Sequence, residues 1–315
     1  MMTWEWPIAI DLWVAGMAGG AYFAAFLMHH LSGRRHGLLP KIAMFLGVPL
    51  VLLGSLLLVV DLGEQLRAWH LFTRLRVGSA MSMGSWILLI YALVGIVMIA
   101  LWWTESFEPG EVRLTVLSGL ASVIRPARAA IGVLSWIAFA LAVLLMAYTG
   151  VLLSATNQPL WASTFLLPIL FVASAIFTGT ALLLLVLRTG FGRLLDILFG
   201  GEGEPIPNET MQAIGNAMAI VGIVELVVLV PFLAWLGFFS TPSAASALGT
   251  LTSGSLSFLF WVGVVVVGLL IPLGLQLASM KAKREALVGS VVTSTSLVLI
   301  GGFVLRLVVV LGGQT

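Results

Sequence analysis

Long apolar runs, separated by short polar stretches, occupy most of this chain of 315 residues. Crossing the hydrocarbon core of a bilayer, about 30 Å thick, takes about 20 helical residues. Runs long enough for that fall at 7–30, 40–62, 80–103, 129–152, 160–187, 212–238, 255–279 and 287–311, which predicts eight transmembrane helices. Composition agrees: 60% of residues are hydrophobic and 9% charged, more apolar surface than a soluble core of this length can hide. The predicted fold class is an all-α integral membrane protein.

Charge then orients the spans. The loops after spans one, three, five and seven hold Arg34, Arg35, Lys41, Arg113, Arg125, Arg128, Arg188, Arg193, Lys281, Lys283 and Arg284. The opposite face holds only Arg67, Arg74, Arg76 and Arg306. Positive charge is retained on the cytoplasmic side, so the sequence places both termini on the outer, periplasmic side. No Lys or Arg precedes the first apolar run and no short run ends in a small-residue cleavage site, so the first span is expected to be kept. The net charge of +2 restates the cytoplasmic bias and calls for no nucleic-acid partner.

Cysteine is absent, which excludes a disulfide and an iron–sulfur cluster held by thiolates of this chain. His29, His30 and His36 gather at the inner end of the first span, and His70 falls in the second loop. None stands in the middle of an apolar run, where an axial haem ligand would be needed, so neither haem nor another metal is expected. His29 and His30 read as a helix end in reach of water. Trp4, Trp6, Trp69, Trp161, Trp235 and Trp261 near outer ends, with Trp102 and Trp103 near an inner one, read as an interfacial belt. Gly16 and Gly20 form a GxxxG that lets another backbone come close. Pro49, Pro168, Pro231 and Pro272 are expected to kink their spans. The stretch 188–211 reads as an exposed connection.

Polar groups at membrane depth are costly unless paired or hydrated, which makes the few that occur informative. Asp11, Asp61, Ser82, Ser85, Tyr148 and Arg306 all come within a few turns of an outer span end, so they share one shallow depth. Carboxylates, a phenol and hydroxyls there suit hydrogen bonding to the carbonyl oxygens of a quinone, with proton exchange to outside water. The alternative is that Asp11 and Asp61 are solvated helix-end residues. Glu225 lies near the middle of the sixth span, where that alternative fails. It belongs either to a proton path or to a buried ion pair, with Arg306 one candidate partner.

Four stretches carry a family resemblance: WPIAIDLWVAGMAGG at 6–20, DLGEQLRAWHLFTRLRVGSAMSMGSW at 61–86, YTGVLLSATNQPLW at 148–161 and GGFVLRLVVVLGGQ at 301–314. In order and spacing the chain resembles the NrfD/PsrC family, the membrane subunits of polysulfide-reductase and nitrite-reductase type complexes. The resemblance implies two four-helix bundles, here 1–155 and 156–315, with a menaquinone or ubiquinone bound near the outer face of the first. It implies electron exchange with a subunit carrying four ferredoxin-like iron–sulfur clusters, which serves a molybdopterin or other catalytic subunit. The setting would be a prokaryotic cytoplasmic (inner) membrane. On this resemblance Asp11, Asp61 and Tyr148 bind quinone and Arg67 and His70 face the cluster subunit; Ser82 and Gly63 are further candidates for the quinone site, and Asp11, Asp61, Glu225 and Arg306 are the candidates for proton transfer, with a structural role for Glu225 the alternative. Glu64 and Gln65 depart from the family's basic residue and proline at those places.

Two other function classes fit the composition. A secondary transporter would line its path with Asp11, Glu225 and Arg306, yet 1–155 and 156–315 show no internal repeat of the kind transporters carry. A bare membrane anchor would leave intramembrane Asp11 and Glu225 without a reason.

Overall fold

The computed structural model describes residues 6–32, 37–61, 76, 78–104, 129–198, 206–282 and 288–314, and among these it contains helices and no strand. The elements are α1 (Trp6–Leu31), α2 (Leu38–Asp61), α3 (Ala80–Trp103), α4 (Ile131–Ser154), the short α5 (Pro159–Ala162), α6 (Leu166–Arg188), α7 (Phe191–Leu198), α8 (Asn208–Phe238) and α9 (Pro242–Thr252). Then α10 begins with an i→i+5 wound stretch, Leu259–Leu270, and continues as Ile271–Ala282, and α11 spans Val288–Gly312. Eight of these (α1, α2, α3, α4, α6, α8, α10 and α11) are long and apolar enough to cross a membrane. An even number of crossings puts the start of α1 and the end of α11 on one face.

The predicted spans match except around the fifth, which was expected to run unbroken over 160–187. Instead the helix stops at Ala162 and restarts at Leu166. Pro159 opens the first piece at a position that needs no donor, and the Thr164 hydroxyl accepts from the Leu166 amide to open the second. Pro168 consequently sits in the first turn of α6, where its missing N–H breaks no helical hydrogen bond, so it does not kink the helix as expected. Trp161 also departs from its expected place. It is buried rather than interfacial, and its indole donates to the Val309 carbonyl at 2.7 Å. Part of the expected exposed connection after Arg188 is helical: Gly190 takes a left-handed φ of 82°, turning the backbone out of α6 into α7.

Packing places α1 at the centre. It lies against α2, α4, α6 and α11, while α6 in turn contacts α4, α8 and α11. The small residues of α1 make this possible. Gly20 and Gly179 meet where α1 crosses α6, and a side chain on either would run into the other helix's backbone. Gly19 sits 2.8 Å, measured from an added Cβ, from the Ala142 carbonyl of α4. Replacing Gly20 by Leu is therefore expected to abolish folded, monodisperse protein in detergent, as read by fluorescence size-exclusion, because overpacking such a crossing costs at least about 1–3 kcal/mol.

Hydroxyls fasten the same helix. Tyr22 donates to the Ser135 carbonyl of α4 and Tyr91 of α3 donates to the Ala18 carbonyl, both at 3.3 Å. His30 ends α1 with Nδ1 donating to the Phe26 carbonyl at 3.0 Å and its ring stacked on Phe26. Near the end of α11, α9 packs on α8, α5, α10 and α11.

Candidate functional site

Asp11 lies five residues into α1, and its carboxylate is wholly buried. Neither Oδ1 nor Oδ2 has a hydrogen-bond partner among the described residues. An orphaned carboxylate in a packed apolar interior costs several kcal/mol in order of magnitude unless something meets it. Its solvated-helix-end reading is therefore excluded by position.

Three other helices close on this group. Gly54 of α2 faces it so closely that an added Cβ would stand 2.5 Å from Oδ1. Tyr148 of α4 lies within electrostatic reach of the carboxylate. The Tyr148 ring in turn lies directly on Gly84 of α3, where any side chain would overlap it. Thus α1, α2, α3 and α4 each place one residue around a single carboxylate and phenol, and two of the four are glycines that make room. Tyr148 stands nearly two turns before the end of α4 at Ser154. The shared depth expected of Asp11 and Tyr148 is real.

Ser82 and Ser85 are buried beside this wall, with local bonds. Ser82 Oγ accepts from the Arg76 amide at 3.0 Å, and Ser85 donates to the Met81 carbonyl at 3.0 Å. Ser82 thereby holds the approach to α3. Asp61 closes α2, but its side chain lies outside the described residues, as do Gly63, Arg67 and His70.

Arg306 and Glu225 belong to a second constellation. Arg306 is fully buried; its Nε donates to the Leu12 carbonyl of α1 at 3.2 Å, and Nη1 donates to the Gly302 carbonyl at 2.8 Å and to Ser174 Oγ of α6 at 3.1 Å. The guanidinium also stands 5.5 Å from the centre of the Phe171 ring. Glu225 of α8 hydrogen-bonds the same Ser174 hydroxyl and feels the Arg306 charge. The candidate pair from the sequence thus meets through an intermediary. Arg306 reaches inward and Ser174 covers the remaining depth.

Sequence reasoning missed Ser174, Gly54 and Gly84. Ser174 had a signal, the four-residue spacing to Thr178 on one face of an otherwise apolar run. The glycines had none, since many glycines in these helices merely pack.

Among the described residues, no three His, Cys, Asp or Glu gather as a metal site would require. The Asp11 site offers instead an acid and a phenol in an apolar enclosure, which suits a small apolar molecule with hydrogen-bonding oxygens.

Comparison with known proteins agrees with this architecture from end to end. The family described as Polysulphide reductase, NrfD matches residues 1–315. The C subunit of the polysulfide reductase of Wolinella succinogenes is 31% identical over 327 residues, covering 100% of this protein and 95% of that one. Protein NrfD of Escherichia coli is 27% identical over 325 residues, covering 99% and 95%. The NrfD homolog of Haemophilus influenzae is 28% identical over 281 residues, covering 86% and 82%. With eight membrane-crossing helices and a family match over its whole length, this is a multi-pass protein of the bacterial inner membrane, and it belongs to the polysulphide reductase/NrfD family.

Proposed function

We propose that this protein is the quinone-binding and membrane-anchoring subunit of a multi-subunit oxidoreductase, exchanging electrons between the quinone pool and an iron–sulfur partner. The observation that carries this reading is the Asp11 carboxylate of α1, buried with no partner among the described residues, against Gly54 of α2 and within electrostatic reach of Tyr148 of α4. Family membership supports it, and the Wolinella polysulfide reductase relative is by its lettered name one of several subunits. The absence of cysteine supports it too, since metal centres would then reside in partners. Those partners are a ferredoxin-like four-cluster subunit and a molybdopterin or other catalytic subunit, docked at the loop of Arg67 and His70.

A bound menaquinol or ubiquinol supplies two electrons and two protons per turnover. The part played by this protein is to hold and move the protons. Tyr148 donates its hydroxyl to a ring oxygen and fixes the head group, while Asp11, with Asp61 towards the loop, accepts a proton; in quinone reduction the direction reverses. Gly54 keeps the space beside Asp11 and Gly84 the space beside Tyr148. The site lies in the 1–155 bundle, and by the charge bias its end of the membrane is the outer one.

The test is purification of the tagged protein in mild detergent. Stoichiometric iron in a companion and oxidation of an added quinol coupled to that companion's reduction are expected. A metal-free single subunit that moves solute in vesicles would overturn the reading. In the active complex, Tyr148→Phe is expected to lower quinol turnover by about tenfold, the loss of one buried hydrogen bond. Unchanged turnover would remove Tyr148 from the site.

A further inference from the structure

We propose that α7 is an interfacial helix lying along the membrane surface, with its exposed apolar flank seated on the phospholipid acyl chains of the leaflet where α6 ends. Its eight residues read FGRLLDIL. Gly190, with its φ of 82°, reverses the chain after α6, and its carbonyl accepts from the Arg193 and Leu194 amides at 3.1 and 3.5 Å. The new helix therefore begins within three residues of Arg188. One flank fixes it to the protein. Leu195 is buried, Gly192 is packed so closely that an added Cβ would stand 3.2 Å from Leu187 and 3.4 Å from Ile206, and further contacts reach α2. The other flank carries Phe191, Leu194 and Ile197 at three-residue intervals, and these are 40%, 58% and 58% exposed. Arg193, also exposed, borders that flank beside Ile197.

What covers the apolar flank follows from its height. The 23 residues of α6 make about 34 Å of helix, enough to cross a hydrocarbon core of about 30 Å, and they end at Arg188. A second helix gives the same level. Asn208, Glu209 and Gln212 are exposed polar residues in the first turns of α8, ahead of its apolar run, and Met211 among them accepts at Sδ from Arg188 Nη1 at 3.4 Å. Both helices thus pass from polar to apolar surroundings at one height. Gly192 lies beside Leu187, one residue to the membrane side of Arg188, so α7 runs where headgroups meet acyl chains and not out in the water beyond them.

An amphipathic helix at that height, with one flank fixed to protein, turns its other apolar flank to lipid. Arg193 suits the border, because its stem can follow the apolar surface while the guanidinium reaches the phosphates. Seated in this way, α7 ties the end of α6 and the neighbouring α2 to the bilayer surface. The inference rests on the membrane crossings alone and is independent of the function proposed above.

The test uses the full-length protein in phospholipid vesicles. Because the chain has no cysteine, a nitroxide label attaches only where one is introduced. Phe191→Cys, Leu194→Cys and Ile197→Cys each place a label on the flank at an exposed position, so a variant that fails to fold leaves two others to read. Glu209→Cys supplies the aqueous reference. Power-saturation electron paramagnetic resonance compares collisions with oxygen, which concentrates among acyl chains, and with a water-soluble nickel chelate. Labels on the flank are expected to read about 5–10 Å into the boundary of headgroups and acyl chains, with oxygen collisions exceeding nickel collisions and the reverse at Glu209→Cys. Nickel collisions on the flank as frequent as at Glu209→Cys would put α7 in water and overturn the proposal. Labels shielded from both reagents would overturn it as well, since protein and not lipid would then cover the flank.

Discussion

On the proposed function, replacing Asp11 by Asn is expected to lower quinol turnover by about 100-fold or more while the complex assembles normally, the range for removal of a positioned acid–base group. Asn keeps the shape and much of the polarity of Asp. It fits the same space beside Gly54 and Tyr148, so the packing of α1 is preserved. What it loses is the ability to take up and release a proton. Both Asp11 oxygens lack a partner among the described residues, so no bond to any of those is broken by the exchange. Steady-state oxidation of an added quinol by the purified variant complex, alongside its iron content, is the measurement. A variant with full iron and full turnover would show that the proton goes elsewhere.

Replacing Arg306 by Ala destabilises the whole helix assembly by about 3–5 kcal/mol, the cost of removing one member of a buried charged network. Three acceptors on three helices, the Leu12 and Gly302 carbonyls and the Ser174 hydroxyl, lose their donor at once. Glu225 keeps its place in the interior but loses the cation that faces it. Because Arg306 joins α11 to α1 and α6, the damage spreads over several helices rather than staying local. Thermal unfolding in detergent, followed by size-exclusion, should show a large drop in Tm and poor recovery of folded protein. Glu225→Gln, which retains the Ser174 contact, should unfold close to the wild-type temperature. A stable Arg306→Ala variant would mean that the carbonyls find other donors.

Much of this architecture is readable from residue order because the bilayer leaves few choices. A run of about 20 apolar residues in hydrocarbon must satisfy its own backbone, and only a helix does so within one segment. Span boundaries went astray where a tertiary partner intervened. Trp161 looks like an interfacial anchor in sequence, yet its indole is drawn inward by the Val309 carbonyl, and the helix breaks behind it. Pro168 looks like a kink until that break makes it a first-turn residue.

The candidate site divides in the same way. Alternation of spans put Asp11, Tyr148 and Arg306 at related depths, since each is a small number of turns from a helix end on one face. Depth, however, says nothing about direction around the helix axis in a segment apolar on all sides. Only the packed structure turns Asp11 towards Gly54 and Tyr148, and Arg306 towards Ser174 and Leu12. Hydrophobic length and residue chemistry are local properties, so residue order alone gives the number of apolar spans and the lack of thiolate ligands. Tertiary structure alone decided which polar groups meet, because close helix crossings at glycines such as Gly20 and Gly179 fix the rotation of each helix, and rotation is a property of pairs.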